Sequence, residues 1–75
     1  MSTKKEILLD VSELEAPQPL VKAVDALLKL KSDEVLVFRH RMNPTHLFNE
    51  IVKNRYNYEI IADEPNYFEM KITKG

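Results

Sequence analysis

One place in this chain can gather several kinds of reactive side chain: Glu13 and Glu15 from one short stretch, Arg39, His40, Arg41 and His46 from another. Arg39 and Arg41 are planar fork donors. Beside a helix that starts at Asn43-Pro44, whose free N–H groups carry partial positive charge, they would form a site for an anion or an acidic partner. His40 and His46 together with Glu13 or Glu15 supply imidazole and carboxylate, a donor set that suits zinc. The six-residue separation of the two histidines is not a recognised ligand spacing, however. His46 against a glutamate would also make a general acid–base couple, but neither a nucleophile nor a phosphate-binding loop accompanies it. The plainest account is a solvated strand end, in which the arginines pair with Glu13 and Glu15 for about 0–1 kcal/mol each and both histidines lie at the surface.

For the two stretches to meet, the elements around them must converge. Glu6 to Ser12 alternates, with Ile7, Leu9 and Val11 on one side and Leu8, Asp10 and Ser12 on the other, which predicts a half-buried strand. From Pro17 the period becomes helical. Leu20, Val24, Leu27 and Leu28 share a face, flanked by Val21 and Ala23, while Lys22, Asp25 and Lys29 line the opposite one. Pro17 and Pro19 fit a first helical turn, where N–H groups have no helical partner, and for the same reason they leave a poor anion cradle there. Glu34 to His40 contains the apolar run Val35-Leu36-Val37-Phe38 of a central strand. Asn43 as a cap and Pro44 at the first helical position open a second helix running to Arg55, with Leu47, Phe48, Ile51 and Val52 on its apolar side. Tyr56 to Asp63 and Phe68 to Thr73 alternate about the turn residues Asp63-Glu64-Pro65-Asn66 and predict a hairpin.

The order βαβαββ implies an α/β chain of the α+β two-layer type: a mixed four-stranded sheet with two helices on one face, because crossovers between parallel strands share a hand. One domain is expected over residues 1–75, with an ordered core of about 6–74. In an open sheet of this kind ligands bind beyond the C-terminal ends of the parallel strands, which brings residues 13–18 beside 39–46. The parity of the strands puts Ile7, Leu9, Val11, Val35, Val37, Tyr58, Ile60, Phe68, Met70 and Ile72 under the helices. Leu8, Leu36, Phe38 and Ile61 then fall on the open face, a candidate interface for a protein partner or a homodimer. The aromatic residues Tyr56, Tyr58, Tyr67 and Phe68 read as core and cross-strand pairs.

Composition narrows the classes further. A formal net charge of -1 produces no long-range field toward nucleic acid or an anionic membrane, and the acidic neighbours of the aromatic residues oppose phosphate. With no cysteine, neither a disulfide framework nor a thiolate metal cage is available. The stretch Met1 to Glu6 lacks the apolar segment of a signal peptide and no apolar run approaches membrane-spanning length, so a cytoplasmic protein is expected, with Lys4 and Lys5 as a soluble terminus. No cofactor is called for.

Leu9-Asp10-Val11, then three residues, then Glu15-Ala16-Pro17-Gln18-Pro19 at a strand-to-helix junction resembles the TusA/SirA-like sulfur-carrier proteins, whose signature at this point is Cys-Pro-x-Pro. The resemblance implies a βαβαββ fold and, where the cysteine is present, a thiolate that accepts sulfur at a helix N-terminus. Ala16 stands at that position. A methyl group can neither ionise nor carry a persulfide, so the transfer activity is not implied here. A closer resemblance is to domain-of-unknown-function family 2249, bacterial TusA-related domains that also lack the cysteine and show a His-Asp-Pro-x-Pro-Leu-Tyr-like motif at the second helix. Met42-Asn43-Pro44-Thr45-His46-Leu47-Phe48 corresponds to it, with Met42 in place of the His and His46 in place of the second Pro. The reading that follows is a non-catalytic protein-binding or adaptor module. The alternative is a small-anion or metal-binding domain that uses the pole formed by the loops before the two helices.

Overall fold

The computed structural model describes residues 4–74. Met1 to Thr3, part of the stretch read against a signal peptide, lie outside the described residues. The elements are β1 (Lys5–Asp10), α1 (Gln18–Lys29), β2 (Glu34–His40), α2 (Thr45–Lys53), β3 (Asn57–Glu64) and β4 (Tyr67–Thr73), in the expected order βαβαββ. They build one mixed sheet with strand order β1-β2-β4-β3. β1 and β2 are parallel, and β4 lies antiparallel to both β2 and β3. The strand feeding each helix and the strand leaving it therefore run the same way, and β4 fills the gap left by the second crossover. Lys5 belongs to β1 and not to a loose terminus, since its N–H donates to the Asp33 carbonyl at 2.9 Å.

Register decides which side chains share a face, because paired residues project the same way. Ile7 pairs with Leu36 and Leu9 with Phe38, while Leu36, Phe38 and His40 pair with Ile72, Met70 and Phe68. All of these face the helices. Leu36 and Phe38 are 0% exposed and pack with Ala23 and Leu27 of α1, Leu47 and Ile51 of α2, and Phe68, Met70 and Ile72 of β4. The expected placement of Leu36 and Phe38 on the open face, and of Val35 and Val37 beneath the helices, is therefore inverted. A run of four apolar residues has no alternation to read, and the sheet, not the strand, chooses its parity.

The open face that results is an ordinary solvated one. Lys71 reaches Glu6 at 3.2 Å, Arg39 donates to Glu69 at 3.3 Å, and the Tyr67 hydroxyl also bonds Glu69. Those contacts hold the Glu69 carboxyl below the usual range, chiefly through the Tyr67 hydrogen bond, and raise the Tyr67 phenol. Val37 is nonetheless buried on this side, flanked in register by Leu8 and by the aliphatic stem of Lys71.

Both helices present a narrower apolar stripe than their sequences offer. In α1 it runs through Pro19, Ala23 and Leu27 and continues to Leu30, leaving Val21 and Leu28 exposed; in α2 Leu47 and Ile51 are buried and Val52 is exposed. α2 ends in a Schellman motif, with Tyr56 N–H on the Ile51 carbonyl at 3.0 Å and Arg55 N–H on that of Val52 at 3.2 Å. This requires a left-handed residue, and Arg55 occupies the position at φ 61°. The Tyr56 hydroxyl then donates to the Leu27 carbonyl at 3.0 Å, tying the exit of α2 to α1. Pro65-Asn66 closes the β3–β4 hairpin, with Asn66 at φ 67°.

Candidate functional site

The loops that enter the two helices meet at the C-terminal ends of β1 and β2, where the sequence places them. The first loop is held by short-range bonds. Val11 N–H continues the parallel ladder onto the Arg39 carbonyl at 2.9 Å, Leu14 N–H returns to Val11 at 3.1 Å, and Ser12 N–H donates to Asp10 Oδ1 at 3.0 Å. The hydrogen bonds from Ser12 keep the Asp10 carboxyl below the ordinary aspartate range. Glu15 then accepts Gln18 N–H at 2.9 Å as α1 begins.

The second loop leaves its helix uncapped. Asn43, expected as the cap, instead donates its amide to Asp63 Oδ2 at 3.1 Å, and Pro44 takes the cap position without a side-chain bond. The Thr45 N–H bonds the Asn43 carbonyl, while Leu47 and Phe48 N–H groups both bond that of Pro44. The first turn contains no acidic residue to answer the positive end of the helix.

Between the loops lies a cleft of about 510 Å³, within the size range of small-ligand sites. Its wall is mainly apolar, built by Leu14, Pro17, Pro19, Leu20, Met42 and Leu47. The sequence reading named none of these as site residues. The signal was present in Leu14 and Met42, apolar side chains in polar loops, which need a hydrophobic surface nearby to justify them.

Of the six reactive residues singled out from the sequence, Glu15, His40, Arg41 and His46 line this cleft together. Arg41 Nη2 lies 3.2 Å from Glu15 Oε1, the expected ion pair, with the glutamate side chain largely in water. Glu13 is exposed and takes no part in the lining. Arg39 projects to the open face onto Glu69, so neither expectation for it, an anion fork beside Arg41 or a partner for Glu13 or Glu15, is met. His46 is exposed at the rim.

His40 is the unexpected member. The sequence offers it either as a member of the loop pole or as a surface histidine, but the inverted parity of β2 carries it to the helix side, where it is 5% exposed and packs edge-on against Phe38 with ring centroids 6.1 Å apart. Its Nδ1 is buried and has no hydrogen-bond partner among the described residues. A buried polar atom in that condition costs about 1–3 kcal/mol. Burial, aided by the Arg41 guanidinium and opposed by Asp10, pushes its pKa below the ordinary histidine value, so the ring is neutral at pH 7. A neutral imidazole has one donor and one acceptor, and here it forms part of the cleft lining.

Among the described residues no group of three or more His, Cys, Asp or Glu side chains is arranged to hold a metal ion. Likewise no helix there is long and apolar enough to cross a membrane. Chemically the arrangement offers apolar contact, one paired cation, an uncapped helix start and a neutral buried imidazole. The family model described as "Uncharacterized conserved protein (DUF2249)" matches residues 8–74, which takes in both loops and every residue of the cleft. No curated protein and no solved structure matches the chain.

Proposed function

The chain belongs to the DUF2249 family, and from that premise we propose that it is a non-catalytic binding domain whose working site is the cleft between the two helix-entry loops, taking a small ligand with an anionic group. One observation carries this reading: a nearly fully buried histidine, with an unpartnered ring nitrogen, is built into the wall of a ligand-sized apolar cleft. Folding alone would favour an apolar side chain at that position, so the imbalance points to a role in binding. Ala16 lines the same cleft, at the position where the resemblance to the sulfur carriers would put their cysteine, and a methyl group there supports binding over group transfer. The test is a heteronuclear NMR titration of the labelled chain with a fragment mixture of acids, amines and neutral compounds. Shifts gathered on residues 14–20 and 40–47 are expected. Shifts confined to the open sheet face, or none at millimolar fragment, would overturn the reading.

A second reading, protein contact, is favoured by a separate observation. The open-face candidates keep only Leu8 and Ile61 exposed, and Ile61 is the extra residue of an irregularity in the outer strand β3. On the helix side of the same outer strand Tyr58 and Ile60 are half-exposed as well, so β3 offers apolar side chains on both of its faces, an edge suited to a second copy. Light scattering across a concentration series of the chain and of Ile60→Lys tests the homodimer form. A monomer at all concentrations would remove it.

A further inference from the structure

Resting on the binding-domain reading above, we infer that the cleft recognises a small monocarboxylate with a compact apolar body: carboxylate at the start of α2 and Arg41, body against Pro19, Leu20, Met42 and Leu47. The donor inventory sets the charge of the ligand. Pro44 has no N–H, Thr45 N–H is used by Asn43, and Leu47 and Phe48 N–H groups are used by Pro44. This leaves the N–H of His46 as the first-turn donor without a backbone partner among the described residues. Arg41 is the one arginine or lysine in the lining, and its present partner Glu15 is solvated. An exposed pair of that kind is held weakly, so a ligand carboxylate can replace Glu15 at little cost. One guanidinium and one amide match the two oxygens of a carboxylate. They do not match a phosphate dianion, which needs more donors and more positive charge than the cleft holds.

The rest of the ligand follows from the wall. Apart from His40 and the polar residues Glu15, Arg41, Asn43, Thr45 and His46 the lining is apolar, so the body must be apolar to displace water from it favourably. His40, nearly fully buried and neutral, contributes its imidazole to the lining beside Arg41 and makes that part of the wall less apolar than the rest.

Calorimetry and NMR titration with benzoate and 3-methylbutanoate, their primary amides, and inorganic phosphate test the assignment. The two acids should shift the His40, Arg41, His46 and Leu14 signals, with the amides weaker by on the order of tenfold or more, the cost of losing a charged hydrogen bond. Arg41→Gln, whose fold is checked by its spectral dispersion, should weaken the acids to a similar degree and leave the amides unchanged. Amides binding as tightly as acids, or phosphate binding more tightly, would overturn the carboxylate assignment while the cleft remained a binding site. If no probe moved cleft signals at millimolar concentration, the assignment and the reading beneath it would both fall.

Discussion

Replacing His40 with phenylalanine should stabilise the protein at neutral pH and flatten its response to mild acid. The ring packs edge-on against Phe38 with a buried Nδ1 that has no partner among the described residues, for which the folded state gives up about 1–3 kcal/mol. Phenylalanine keeps a flat ring of similar size and removes both nitrogens. Allowing for imperfect fit, a net gain of about 1 kcal/mol is expected, against a total near 4–11 kcal/mol for a chain of 75 residues. In a domain of this size that raises the melting temperature by about 4–8 °C.

The pH response has a definite sign. Burial first, then Arg41, lowers His40 from its ordinary value of 6.5, with Asp10 acting the other way. Between that value and the lower folded one, the unfolded chain binds more protons. Stability contributed by the neutral ring is therefore complete above pH 6.5 and declines as the pH falls toward the folded value, at up to about 1.4 kcal/mol per pH unit. Urea unfolding followed by circular dichroism, at neutral pH and near pH 5.5, measures both effects in the parent and in His40→Phe. The variant should be the more stable at neutral pH and should lack the parent's His40-dependent decline. A variant less stable by more than about 2 kcal/mol, or one that retained the full decline, would mean that His40 is not a buried, unpartnered ring.

Other consequences follow from the packing. Phe38→Asp places a charge in the core and should leave the chain unfolded, whereas Leu8→Asp on the open face should change stability by no more than about 0.5 kcal/mol; circular dichroism of the pair checks the register of β2 directly. Arg55→Gly relieves a non-glycine left-handed residue in the helix terminator and should add about 0.5–1 kcal/mol by urea titration. Tyr56→Phe removes the hydroxyl bond to Leu27 and should cost about 0.5–1.5 kcal/mol in the same assay.

The element order was legible because its periods are clean: alternation in Ile7–Val11, helical spacing after Pro17, turn chemistry at Pro65-Asn66. The meeting of the two loops was equally legible, since strand direction alone places 13–18 beside 39–46. Parity of β2 is harder to read, and Arg39 carries one cue to it. Arg39 shares its side with Val35 and Val37, so placing those valines under the helices would have driven a guanidinium into the core. Reading that cue would also have carried His40 inward, and with it the most informative residue of the cleft. The exposure of Leu28 and Val52 could not be read from helical spacing, which gives the apolar arc of a helix but not how much of it a four-stranded sheet can cover. Asn43 has the composition of a cap, and its diversion to Asp63 depends on a strand twenty residues away.

The most direct test of the cleft as the working site is a crystal structure of the chain grown with 3-methylbutanoate. The acid should lie between the helix-entry loops, its carboxylate within hydrogen-bonding distance of Arg41 and the His46 N–H and its methyl groups on Leu20 and Leu47. Acid found only elsewhere on the surface, or a cleft closed by its own side chains, would contradict that placement.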